Sequence, residues 1–142
     1  MDTNKVDFFI LSKGNLFPNA QLPFLREKLT EASNEKWVEL NATSFKNPTI
    51  ALIISVAAGT YGADRFYLGQ PLLGVCKLIL TLMLIAWAVT MQFLTPEDLT
   101  MWIFVPFFCI MCLILLWYFI DIFLVSKTAK EQNLNTILTI LN

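Results

Sequence analysis

The sequence predicts an all-α integral membrane protein: a small helical soluble segment, a short membrane helix, then a long antiparallel helical hairpin. Two observations carry this. The 142 residues are 56% hydrophobic with a mean hydropathy of +0.62, where soluble domains sit nearer 45–50% apolar. The charge is also segregated: residues 1–47 hold six of the ten basic and six of the eleven acidic residues, and residues 99–120 hold none. The chain reads as three parts, a soluble segment over 1–45, a membrane domain over 46–126 and a polar or amphipathic tail over 127–142.

The soluble segment reads as short helices. Val6–Ser12 is a brief apolar turn closed by Lys13 and Gly14, a helix-stop pattern. Leu22–Ala32 sets Leu22, Leu25 and Leu29 at helical spacing, with Arg26, Glu27 and Lys28 on the other face. Ser33 is placed to cap a third short helix carrying Trp37 and Leu40. So small an apolar surface packs on itself, on the membrane surface or on a protein partner.

The first membrane helix spans about 48–63, roughly 24 Å at 1.5 Å per residue, slightly short for a hydrocarbon core of about 30 Å. Ala51, Ser55, Gly59 and Ala63 recur every four residues and form a helix-packing face. Leu52, Ile53, Ile54 and Val56 fall mostly on the other side. The second helix spans about 71–94, with Pro71 in its first turn, where a missing N–H costs nothing. Thr95, Pro96, Glu97 and Asp98 make a compact start for a third helix over about 96–126. Pro106 is a candidate kink. Trp102, Trp117 and Tyr118 sit like interfacial anchors. In the tail, Leu134, Leu138 and Leu141 suit a short amphipathic helix on the membrane surface.

Helices joined by so short a turn are antiparallel neighbours, and this gives a depth argument. Lys77 lies about 9 Å into the second helix. Asp121 lies at a matching distance from the end of the third. Asp64 and Arg65 immediately precede the second helix, on the same side. Four charges summing to zero thus converge at the interface. Ionisable groups at membrane depth are costly unless paired and often mark function. The alternative is that Lys77 snorkels and Asp121 meets interfacial water.

Much chemistry is excluded. The chain has no histidine, hence none of the commonest general base or metal ligand. No catalytic, metal or cofactor set emerges, and nothing in the charge balance points to nucleic acid. Cys76, Cys109 and Cys112 lie in apolar runs, and the CxxC at 109–112 reads as packing rather than redox chemistry. No cleavable signal is visible, so internal helices drive insertion.

The stretch FKNPTIALIISVAAGTYGADRFYLGQPLLGVCKLIL, followed later by WYFID, resembles the TM2-domain family. The matching residues are Gly59, Gly62, Asp64, Arg65, Phe66, Tyr67, Leu68, Gly69, Gly74, Trp117 and Asp121. Asp64-Arg65-Phe66 is the DRF form of its turn. LPFLREKL and KTAKEQN resemble the leader and tail of bacterial members. The resemblance implies a small membrane protein of undefined biochemical role, in a bacterial inner membrane. One departure stands out: Gly74 and Asp121 are 47 positions apart, farther than in the usual pattern. An insertion at the hairpin tip lengthens both arms and keeps Lys77 opposite Asp121. Three membrane segments are expected where the family usually has two.

Lys28, Lys36 and Lys46 favour a cytoplasmic N-terminus. If the first helix spans, Arg65, Lys127 and Lys130 lie outside, against the positive-inside rule. If it dips in and returns, every basic end is cytoplasmic. A smooth small-residue face favours spanning. Three functional readings follow. The chain is a structural or interaction protein that homo-oligomerises through Ala51, Ser55 and Gly59. Alternatively Asp64, Arg65, Lys77 and Asp121 bind anionic lipid headgroups or ions. The least favoured is an intramembrane enzyme using Asp64 and Asp121.

Overall fold

The structure, a computed structural model, describes residues 2–93 and 101–142, the side chains of 101–103 excepted. Thr95, Pro96, Glu97 and Asp98, and the side chain of Trp102, lie outside the described residues. All described elements are helical: α1 (Thr3–Lys13), α2 (Leu22–Glu31), α3 (Lys36–Ala42), α4 (Pro48–Ala58), α5 (Ala63–Tyr67), α6 (Pro71–Met91) and α7 (Met101–Leu141), with short 3-10 turns between some of them. The chain divides into two compact units, one of Met1–Ala51 with Ser126–Asn142, the other of Leu52–Val125.

The first unit has a small core of its own. Val6, Phe9, Phe17, Leu25, Leu29, Leu40 and Ile137 are almost fully buried, with Trp37, Phe45, Leu134 and Leu141 packed against them. Leu25 and Leu29 are two of the leucines whose spacing marks α2. Phe17 and Phe45 meet edge-to-face at 5.2 Å between centroids, the arrangement their ring quadrupoles favour. Three details differ from the sequence reading. The opening helix starts at Thr3, capped by the Asp2 carboxylate. The residue preceding α3 is Glu35, which makes no side-chain cap bond, so Ser33 caps nothing. The third correction is larger. No tail begins at 127: α7 passes Ser126 unbroken, and Leu134, Ile137 and Leu141 close the first unit's core instead of lying on a membrane surface.

Asn133 fastens this unit. Its side-chain amide donates to Leu16 O at 2.9 Å and Lys46 O at 2.7 Å, and its oxygen accepts from Lys46 N at 2.8 Å. All three partners are backbone groups, and buried backbone donors and acceptors are stabilised by such bonds. Lys46 in turn donates its ammonium to Gln132 at 2.8 Å. Partial burial holds that ammonium below the usual lysine range.

The second unit is the membrane-like one. Pro71–Met91 and Phe104–Leu141 are long and apolar enough to cross a membrane, with only 11% of each apolar window buried. A core helix of a soluble protein would show the opposite. The described bases of α6 and α7 keep Lys77 and Asp121 inside, while Leu82, Val89, Leu116, Phe119 and Phe123 point outward. The apolar helix Pro48–Tyr61 is shorter than a span: α4 itself has 11 residues, about 16 Å. It stops at Ala58, not near 63, because the backbone tightens into a 3-10 turn over Gly59–Tyr61 and reverses hand at Gly62. The helix α7 runs through Pro106 without ending there.

A buried charge quartet as candidate functional site

The turn that carries the charges is built around two glycines. Gly62 has φ +80, and a Cβ there would stand 2.4 Å from Gly74 O. Only glycine meets both demands, a left-handed backbone and passage directly over α6. Gly74 receives the other half of the contact: a Cβ on it would lie 2.9 Å from the Phe66 ring. The motif glycines and Phe66 are thus one packing device that lays α5 across the first turns of α6. Gly69, with φ 73, turns the chain from α5 toward Pro71. Tyr67 ends α5, half-buried.

With α5 so placed, Asp64 and Arg65 point inward. Asp64, Arg65, Lys77 and Asp121 are 0%, 8%, 6% and 2% exposed. Arg65 grips Asp121 with two donors, Nε to Oδ2 at 3.2 Å and Nη2 to Oδ1, and gives Nη1 to Gln70 Oε1 at 2.8 Å. Lys77 reaches Asp64 Oδ2 at 3.0 Å and pairs with Asp121 Oδ2. Its ammonium also donates to Gly59 O at 3.3 Å. Asp64 and Arg65 lie 3.7 Å apart. Each carboxylate therefore faces both cations. Removing an ion from water costs several kcal/mol, offset only by close pairing and further hydrogen bonds. Here the formal charges sum to zero, and each Arg65 nitrogen and the Lys77 ammonium has an acceptor. It ties α5, α6 and α7 together at one end of the hairpin.

The structure brings all four sequence-selected charges together. Gln70, Tyr118 and the carbonyl of Gly59 were not read as partners from sequence. The signal for Gln70 was its position next to the turn; a carbonyl leaves none.

The small-residue face is occupied within the protein. Ala51 and Ser55 are fully buried. Tyr118 lies against Gly59, where a Cβ would come within 3.3 Å of its ring, and donates its hydroxyl to Val56 O at 2.9 Å. Ala63 is half-buried. A second copy therefore does not have Ser55 and Gly59 to dock on. Ser55 Oγ is buried without a hydrogen-bond partner. Trp117 does not stand out as an anchor. It lines a groove between α6 and α7 of about 350 Å³, with Leu80, Leu84, Trp87, Phe107 and Ile114 among its walls. Cys76, Cys109 and Cys112 are free and exposed, on the outer faces of α6 and α7. Among the described residues no group of three or more His, Cys, Asp or Glu could hold a metal ion.

A comparison with curated proteins and one with solved structures found no match. A family model does match, over residues 44–92. That stretch contains the glycine turn, Asp64, Arg65 and Lys77. Asp121, the acid that completes the quartet, and Trp117 lie beyond it. The matching model is that of the TM2 domain, so over residues 44–92 the chain is similar to that family.

Proposed function

We propose that this chain is an integral membrane protein of structural or interaction type, without catalytic activity, whose hairpin α6–α7 crosses the bilayer and whose charge quartet locks the hairpin's open end. The observation that supports this reading is the mutual pairing of the four buried charges. Arg65 spends its guanidinium on Asp121 and Gln70, and Lys77 spends its ammonium on two aspartates and a carbonyl. A headgroup phosphate would have to reach an Arg65 that is almost fully buried and already paired with Asp121. A general acid or base would have to act from a carboxylate that is almost fully buried and already shared by two cations. What the protein offers to others is apolar: the outer faces of α6 and α7, and Phe8, Leu11 and Val38 on the first unit.

In this reading α4 does not cross. Its 11 residues reach about half the hydrocarbon thickness. Lys28, Lys36, Lys46, Arg65, Lys127 and Lys130 then share one side of the membrane. The positive-inside rule makes that side cytoplasmic, as in a bacterial inner membrane.

Replacing the whole quartet by apolar residues of similar size, Asp64→Leu, Arg65→Met, Lys77→Met and Asp121→Leu together, tests the structural role, since buried ion networks are often replaceable in this way. The fourfold variant is expected to insert, fold and restore the phenotype of cells lacking the protein. A variant that folds and yet fails to restore it would assign the charges a direct chemical or binding role.

A further inference from the structure

The groove between α6 and α7 has a direction. Its length is walled by Leu84, Trp87, Phe107, Ile110 and Leu113, with Trp87 and Phe107 stacked at 5.9 Å. Its foot is different. Leu80, Ile114 and Trp117 are shared with a pit of about 20 Å³ that is also lined by Lys77, Thr60, Thr81 and Tyr118. That volume holds one water molecule. Thr81 and Tyr118 have donated their hydroxyl hydrogens to Thr60 O at 2.6 Å and Val56 O at 2.9 Å, and each hydroxyl oxygen keeps an acceptor lone pair toward its surroundings. The pit lies at the level of Lys77, about 9 Å into α6. The apolar walls extend from there toward the hairpin tip.

We propose that the groove is a binding site for one acyl chain of a membrane glycerolipid, with the ester end at the Thr81–Tyr118 pit and the chain lying along α6 toward Trp87 and Phe107. The inference rests on the membrane reading of α6 and α7. Three features select this occupant. The groove lies within helices whose surroundings, on that reading, are hydrocarbon. Left empty it would forfeit the dispersion contacts of its walls, and hydrocarbon chains are what is available to fill it. Its polarity, a polar foot at the shallow end and an apolar length leading inward, matches the orientation of a lipid in the leaflet beside the quartet.

The test is photolabelling of the full chain in phosphatidylcholine vesicles containing a trace of phosphatidylcholine with a diazirine on one acyl chain, with adducts mapped by mass spectrometry. The expected result is preferential labelling of Leu80, Leu84, Ile110 and Leu113 over the outward residues Leu82, Ile85 and Val89. In the groove-filling variant Leu84→Trp the groove adducts should be lost and the outward ones retained. Equal labelling of both faces, or unchanged groove labelling in the variant, overturns the proposal. A groove protected while outward residues are labelled overturns it in favour of a second copy. Absence of adducts on all of these residues overturns the membrane reading itself.

Discussion

Arg65 and Asp121 stand 56 residues apart in sequence and meet side by side, Nε on Oδ2 at 3.2 Å and Nη2 on Oδ1. The planar fork of arginine fits a carboxylate in this way, and lysine could not reproduce the pairing. Because Asp121 belongs to α7 and Arg65 to the turn before α6, the contact holds the two ends of the hairpin at a fixed register. Lys77 then bridges Asp121 to Asp64. The turn, α6 and α7 are joined by charge where bulky side chains elsewhere leave a groove between the helices.

The turn depends on the missing side chain of Gly62 more than on that of Gly74. At Gly62 an added Cβ would strike backbone and sit at φ +80. At Gly74 it would strike the edge of Phe66, a ring that is 46% exposed and has room to move. Gly62→Ala should therefore cost about 2–5 kcal/mol, combining backbone strain with overpacking. Gly74→Ala should cost about 1 kcal/mol. Unfolding of both variants in detergent micelles checks the order, and equal losses would contradict it.

Asn133 holds three backbone groups in the first unit. Asn133→Ala leaves Lys46 N–H and the carbonyls of Leu16 and Lys46 without this partner, a loss of about 3 kcal/mol or more. Hydrogen exchange should show the Lys46 amide losing protection first. Unchanged protection at Lys46 would mean the clamp is not needed.

Ser55 makes the opposite prediction. Its hydroxyl is fully buried with no partner, and an unsatisfied polar atom costs about 1–3 kcal/mol. Ser55→Ala should raise stability by about 1 kcal/mol, since little volume is lost. A clear loss in a thermal-unfolding measurement would show that the hydroxyl is bonded in the membrane.

The topology prediction concerns Gln70 and Asn142. If α4 does not cross, single cysteines at both positions, in a background lacking Cys76, Cys109 and Cys112, stay protected from an impermeant thiol reagent in intact cells and react after permeabilisation. Labelling of both from outside would mean that α4 spans.

How much of this was legible follows from what each residue must do. The four charges could be selected because ions in apolar sequence have few places to go, and helix rise sets their depth. The shared bridging of both aspartates by Lys77 could not be, since it depends on side-chain directions that spacing does not fix. The C-terminal half of α7 was hidden by its polarity: Lys127, Lys130 and Glu131 suggest an exposed tail. Yet Asp121, Val125, Ala129, Asn133 and Ile137, every fourth residue, are buried. That stripe runs through the apparent boundary at Ser126 and is readable once polar residues such as Asn133 are allowed inside. The small residues of α4 were recognisable as a packing face, but sequence alone does not say whether their partner is another copy or the chain itself.

The most direct test of the quartet as a structural lock is a double-mutant cycle on Lys77 and Asp121, with unfolding free energies measured in micelles. Lys77→Met leaves the buried cluster with net charge −1 and Asp121→Asn leaves it with +1, so each should cost about 3–5 kcal/mol. The double variant restores neutrality, with Asp64 and Arg65 still paired, and should fall short of the summed losses by about 1–3 kcal/mol. Losses that add to within about 0.5 kcal/mol, or single variants that barely change stability, would show that the charges are solvated separately and lock nothing.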